Sequence, residues 1–120
     1  MLGFKLFGSG LNNLNVAAIV QDVATGITAA GTTQGTATVL TNTLNGIGIV
    51  ASGAGVVLYP GSSRDCQILY NSGANPVKVY PPVGSKINQM GTNVPHVLPI
   101  NTACEYWFFS ATQIVGVLSA

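Results

Sequence analysis

Charge is what this chain has least of: four lysine or arginine residues, three acidic residues and a single histidine among 120. Soluble domains devote about a quarter of their residues to Asp, Glu, Lys and Arg, whereas here 6% do so, against 48% hydrophobic residues and 15 glycines. The ionisable inventory is Lys5, Arg64, Lys78, Lys86, Asp22, Asp65, Glu105 and His96, with thiols at Cys66 and Cys104. Acid-base and nucleophilic catalysis need such groups converging in one pocket, so the chain is expected not to be an enzyme and to act through its surfaces. A net charge of +1 leaves no basic stripe to neutralise a phosphate backbone, which excludes sequence-independent binding of DNA or RNA as an expectation.

Long apolar runs are lacking too. Residues 16–20, Val-Ala-Ala-Ile-Val, form the longest one near the start, far short of the ~20 residues that span a bilayer. The opening Met1 to Phe7 has one basic residue and a short apolar stretch soon broken by Ser9, Asn12, Asn13 and Asn15, unlike a secretory leader. The expectation is a soluble chain that keeps its own N-terminus and meets no membrane. Two cysteines do not make a disulfide framework, so Cys66 and Cys104 read as small buried residues. No metal or cofactor is expected. His96 lies between Pro95 and Val97 with no second histidine or nearby carboxylate in sequence, and the glycine loops around Gly53 and Gly84 lack the Lys-Ser/Thr of a phosphate cradle.

What remains is frequent turn punctuation between short β-prone runs, the pattern of an all-β domain. A chain of 120 residues suffices for one core that buries roughly two thirds of the unfolded surface. Residues 36–41 are threonine-rich, and 47–50 and 56–59 follow, the last stopped by Pro60-Gly61. Residues 66–71 lead through Ser72-Gly73-Ala74-Asn75 into 76–80, which reads as a β-hairpin whose second arm alternates, with Val77 and Val79 inward and Lys78 outward. Residues 103–109 and 113–118, joined by Ser110-Ala111-Thr112, are apolar on both faces. In so small a chain part of that second face is expected to meet a neighbour. No apolar period of 3.6 is sustained, and residues 16–24 allow at most a short turn of helix.

Residues 1–30 differ in character: an apolar tip (Leu2, Phe4, Leu6, Phe7), a Gly8-Ser9-Gly10 break and an asparagine-rich joint. They read either as an arm reaching another subunit or as a first strand of the chain's own sheet, with residues 31–120 as the domain proper. The expected fold is a single-domain β-sandwich or β-barrel, jelly-roll-like, with an extended N-terminal arm. Candidate interface residues are Phe4, Leu6, Phe7, Tyr106, Phe108, Val115 and Leu118. Trp107 with its aromatic neighbours reads as core and interface rather than a sugar-stacking platform, and Arg64-Asp65 as a local turn pair rather than a bridge between subunits.

The succession Gly35-Thr-Ala-Thr-Val-Leu40, Gly55-Val-Val-Leu-Tyr-Pro-Gly61, Gln67-Ile-Leu-Tyr-Asn-Ser-Gly-Ala-Asn-Pro-Val-Lys-Val-Tyr-Pro81, Gly84-Ser-Lys-Ile-Asn88 and a closing aromatic hairpin from Cys104 resembles small β-domains of tailed-bacteriophage virions. The resemblance covers about residues 31–118 and rests on short turn motifs; Pro82 after Tyr80-Pro81, and an end at Ala120 with no further domain, depart from it. It implies a capsid decoration, or cement, protein. Such a protein is made in the host cytoplasm, sits on the virion surface as a homotrimer and binds the major capsid protein. The alternative it allows is a receptor-binding module of a tail or head fibre, for which Tyr59, Tyr70 and Tyr80 would form a carbohydrate or protein site. As a cement protein, the chain would turn the arm and one face of the C-terminal hairpin to the shell, with residues 72–75 and 89–93 outward.

Overall fold

A computed structural model describes residues 22–119, which are all β. Ten strands follow in order: β1 (Val23–Ala29), β2 (Thr38–Val39), β3 (Leu44–Val50), β4 (Gly55–Val57), β5 (Cys66–Asn71), β6 (Val77–Tyr80), β7 (Lys86–Ile87), β8 (His96–Leu98), β9 (Thr102–Phe108) and β10 (Gln113–Leu118). They form a six-stranded sheet, β1-β3-β5-β9-β10-β7, and a four-stranded sheet, β2-β4-β6-β8. Through β8 the odd strands lie in the larger sheet and the even ones in the smaller.

The chain therefore coils. In the larger sheet β1, β3 and β5 pair in parallel, and in the smaller one β2, β4 and β6 do the same. Each coil is laid on the previous one, with Val23 beside Leu44, Leu44 beside Ile68, and Val56 beside Val79. β8 and β9 make a further coil in the opposite sense, antiparallel to β6 and β5. This is the path of a short β-solenoid, in place of the jelly-roll-like sandwich or barrel expected from the sequence. The expected hairpin of 66–71 with 76–80 is corrected likewise: β5 and β6 belong to different sheets and do not pair. The C-terminal hairpin does form, as β9 antiparallel to β10.

The corner after β5 shows why the chain crosses instead of folding back. Asn71 is fully buried; its Nδ2 donates to the carbonyls of Asn75 (2.9 Å) and Leu98 (3.1 Å), and its Oδ1 accepts from the Gly73 N–H (2.9 Å). The Asn75 amide donates onward to the Val50 carbonyl on the preceding coil at 2.8 Å, and Ser72 N–H donates to the Ile47 carbonyl at 2.9 Å. The backbone of the turn is thus satisfied by amides that reach across coils, as buried polar groups require. Gly73 is held against Val50 so closely that a Cβ would stand 2.6 Å from its Cγ2. The preceding corner turns at Gly53, whose φ of +79° favours glycine.

Between the sheets lies one core, in which Ile47, Leu69, Tyr106, Phe108 and Ile114 from the larger sheet meet Val56, Val77, Val79 and Leu98 from the smaller. Val77 and Val79 face inward as expected, and Lys78 is half-exposed. Residues 23–29 form β1, the edge strand of the larger sheet beside β3. Val23 and Ala24 are strand and not helix; residues 1–21, with Phe4, Leu6 and Phe7, lie outside the described residues.

Val79→Asp, which would set an unpaired charge in this core, is expected to abolish the cooperative thermal unfolding transition. Asn71→Leu removes three hydrogen bonds and leaves their backbone partners buried, at about 1–3 kcal/mol for each unsatisfied group; it is expected to lower the melting temperature far more than Ser72→Ala. Circular dichroism melts of the three variants check both.

Candidate functional site: the outer face of the larger sheet

Strand alternation gives the larger sheet an inward and an outward face. On β9, Cys104, Tyr106 and Phe108 point in, while Glu105 and Trp107 point out. Register then carries the outward set across the sheet. One row runs Val23, Leu44, Ile68, Glu105 and Val117 from β1 to β10. A second joins Cys66, Trp107 and Val115, and a third joins Gly46, Tyr70 and Ala103. Trp107, Phe109 and Val117 are 40%, 67% and 52% exposed. The result is an apolar surface about 19 Å wide, at ~4.8 Å per strand spacing, and monomeric proteins rarely expose contiguous apolar patches of more than a few hundred Å².

The expected interface residues of the hairpin divide on this alternation. Tyr106 and Phe108 are 0% and 1% exposed and belong to the core, not to a subunit surface. Their parity is set by Cys104, which pairs inward with Leu69. Val115 is half-buried on the outward face beside Trp107. Leu118 is 44% exposed at the end of β10, opposite Cys104. Trp107, Phe109 and Val117 are the outward residues that the composition of the run concealed. Its apolar character on both faces was the available signal, but only the register tells which of two adjacent aromatics faces water.

Glu105 is the acidic member of this face. Its Oε1 accepts from the Trp107 indole Nε1–H at 2.9 Å, holding the ring along the strand. Phe109 and Trp107, with Ser63 and Arg64, border a depression of about 340 Å³. A second, of about 210 Å³, lies among Val23, Leu44, Gly46, Ile68 and Tyr70. The residue 62–65 turn is pinned to the hairpin by the Arg64 N–H donating to the Phe108 carbonyl at 2.9 Å, and Asp65 accepts from the Ser62 N–H at 2.8 Å, in keeping with a local turn. Of the tyrosines, Tyr70 is exposed, Tyr59 half-buried, and Tyr80 buried with its hydroxyl donating to the Thr32 carbonyl at 3.0 Å. They do not form a common exposed site.

Beneath the face, His96 lies on β8 rather than in a loop; its Nδ1 is 2.8 Å from the Tyr106 hydroxyl, the rings meeting edge to face. Burial holds the imidazole below its ordinary pKa and pushes the Tyr106 phenol well above its own. Both cysteines are free, Cys104 buried and Cys66 half-buried. Burial first, and the Glu105 charge second, push the Cys66 thiol up to about 11. Among the described residues no three His, Cys, Asp or Glu side chains cluster as metal ligands, and no helix is long and apolar enough to cross a membrane. Compared with protein-family models, curated proteins and solved structures, the chain finds no match.

Two pH-dependent outcomes follow. A thiol at about 11 holds roughly a hundredfold less thiolate at neutral pH than an unperturbed one, so iodoacetamide labelling of Cys66 is expected to be correspondingly slow, and faster in Glu105→Gln, by mass spectrometry. Because the His96 pKa is lowered on folding, the unfolded chain binds the extra proton as pH falls below ~6.5. Stability is then fully present above that value and declines below it. Melting temperatures between pH 8 and 5 should show this decline, and His96→Gln should flatten it.

Proposed function

We propose that the chain is a non-enzymatic structural protein of a virus particle, a decoration protein that binds the outside of a capsid as a homo-oligomer and stabilises the shell. The observation that carries this reading is the open outer face of the larger sheet, apolar across five strands, with Lys86 on its edge strand and Arg64 at its rim. Such a face is suited to being covered by protein, because a buried unpaired charge costs several kcal/mol and this one has a single carboxylate, Glu105. The likeness of its turn motifs to small phage virion domains adds the particle, the major capsid protein as partner, and a trimer as the oligomer. Cyclic homo-oligomers are the common soluble assemblies, and many equivalent attachment points turn modest contacts into high avidity.

A second reading has its own observation. Trp107 and Phe109, exposed beside Arg64, would stack a sugar if the chain were a receptor-binding module of a fibre. The two readings differ in where binding resides, shell or glycan.

Size exclusion with light scattering, in ordinary and high salt, is expected to show a salt-resistant trimer, and the purified protein is expected to sediment with undecorated capsid shells. Val117→Asp, placed beside Glu105 on the open face, should keep its fold by circular dichroism and lose both properties. A monomer that ignores shells and binds glycans through Trp107 would establish the fibre reading instead.

A further inference from the structure

The row Val23, Leu44, Ile68, Glu105, Val117 begins at the first residue of β1. Asp22, the residue before β1, is fastened there: its carboxylate accepts from the Asn42 amide at 2.8 Å, from the Thr43 N–H at 3.1 Å and from the Thr43 hydroxyl. These bonds hold the Asp22 carboxyl below its usual range. Asp22 thus stands at the head of an apolar groove lined by Val23, Leu44, Ile68 and Tyr70. The groove leads to Glu105, whose row contains no ammonium or guanidinium group.

An apolar occupant that also brings one cation would complement that row. A second copy laid face to face about the row would set Glu105 near its own equivalent. The N-terminal segment has the required composition: Leu2, Phe4, Leu6 and Phe7 surround Lys5. Reach is ample, since Glu105 lies three strand spacings from β1, about 14 Å, whereas the 17 residues from Lys5 to Asp22 extend to roughly 56 Å at ~3.3 Å each. Closing a loop of this length costs little more than closing a shorter one, and tethering gives the segment a local concentration that a separate molecule lacks.

We propose that residues 1–7 dock on the outer face of their own chain's larger sheet, with the Lys5 ammonium on the Glu105 carboxylate and the apolar side chains in the groove beside Tyr70. The face and the segment then form one composite surface, the one offered to the shell. The inference deepens the decoration reading by joining two of its expected contact regions, yet its own test does not depend on a shell.

Zero-length carbodiimide coupling on the full-length protein, read by peptide mass spectrometry, is expected to join Lys5 to Glu105 within single chains at all protein concentrations. Trp107, the chain's one tryptophan, reports the same event: Lys5→Glu and Phe7→Ser should each raise its acrylamide quenching and shift its emission to the red. The proposal is overturned if Lys5 couples without preference for Glu105, if the link runs between chains and fades on dilution, or if both variants quench like the parent. Capsid sedimentation of the same variants separates the two readings. Normal shell binding with no Lys5–Glu105 link sinks the docking alone, whereas a clean link without shell binding sinks the decoration reading alone.

Discussion

The structure depends on the buried Asn71 amide at the corner between β5 and β6. Its buried side chain satisfies the inner groups of the turn by accepting from the Gly73 N–H and donating to the carbonyls of Asn75 and Leu98. Because Leu98 ends β8, this one side chain ties the third coil to the returning fourth. Without it the Gly73 N–H and the Asn75 and Leu98 carbonyls would lose their partner, and each buried unmet group is costly. The parallel stacking of β1, β3 and β5, and the open sheet face that results, follow from crossing at this corner instead of turning back.

The parts that were legible in the sequence were those with a local cause. The all-β class follows from turn residues every few positions, the inward setting of Val77 and Val79 from strict alternation with Lys78, and the β9–β10 hairpin from the brevity of residues 110–112. The crossing at residues 72–75 was not legible, because Ser-Gly-Ala-Asn serves a hairpin and an arch equally well. The difference lies in what the asparagines bond to, and those carbonyls are about 25 residues away in sequence. Nor did the coils leave an internal repeat to find: partners in successive coils are separated by 21 and then 24 residues in the larger sheet, and the corners differ in length.

The candidate surface was half legible for the same reason. That residues 103–109 were too apolar for a strand with one wet face pointed to a covered second face, and the structure leaves such a face open. Choosing Tyr106 and Phe108 for it was a matter of parity: a run of four aromatics has no polar residue to mark its inward phase, and Glu105 alone did. Read from Glu105 outward, the same run assigns Trp107 to the surface and Tyr106 to the core. The charge-poor composition had a more diffuse meaning than any single residue, and it is explained by a sheet whose two faces are both largely apolar.

The position of β9 has a consequence for how the protein is made. This strand lies in the middle of the larger sheet, between β5 and β10, yet it follows β1, β3 and β5 in the chain. Until it emerges, three parallel coils end in a bare β5 edge, and bare strand edges recruit other strands. Parallel, non-local pairing is also slow to form. The closing hairpin is therefore a plug as well as a surface, and nascent chains crowded on one message would be most prone to pair with each other before β9 has left the ribosome.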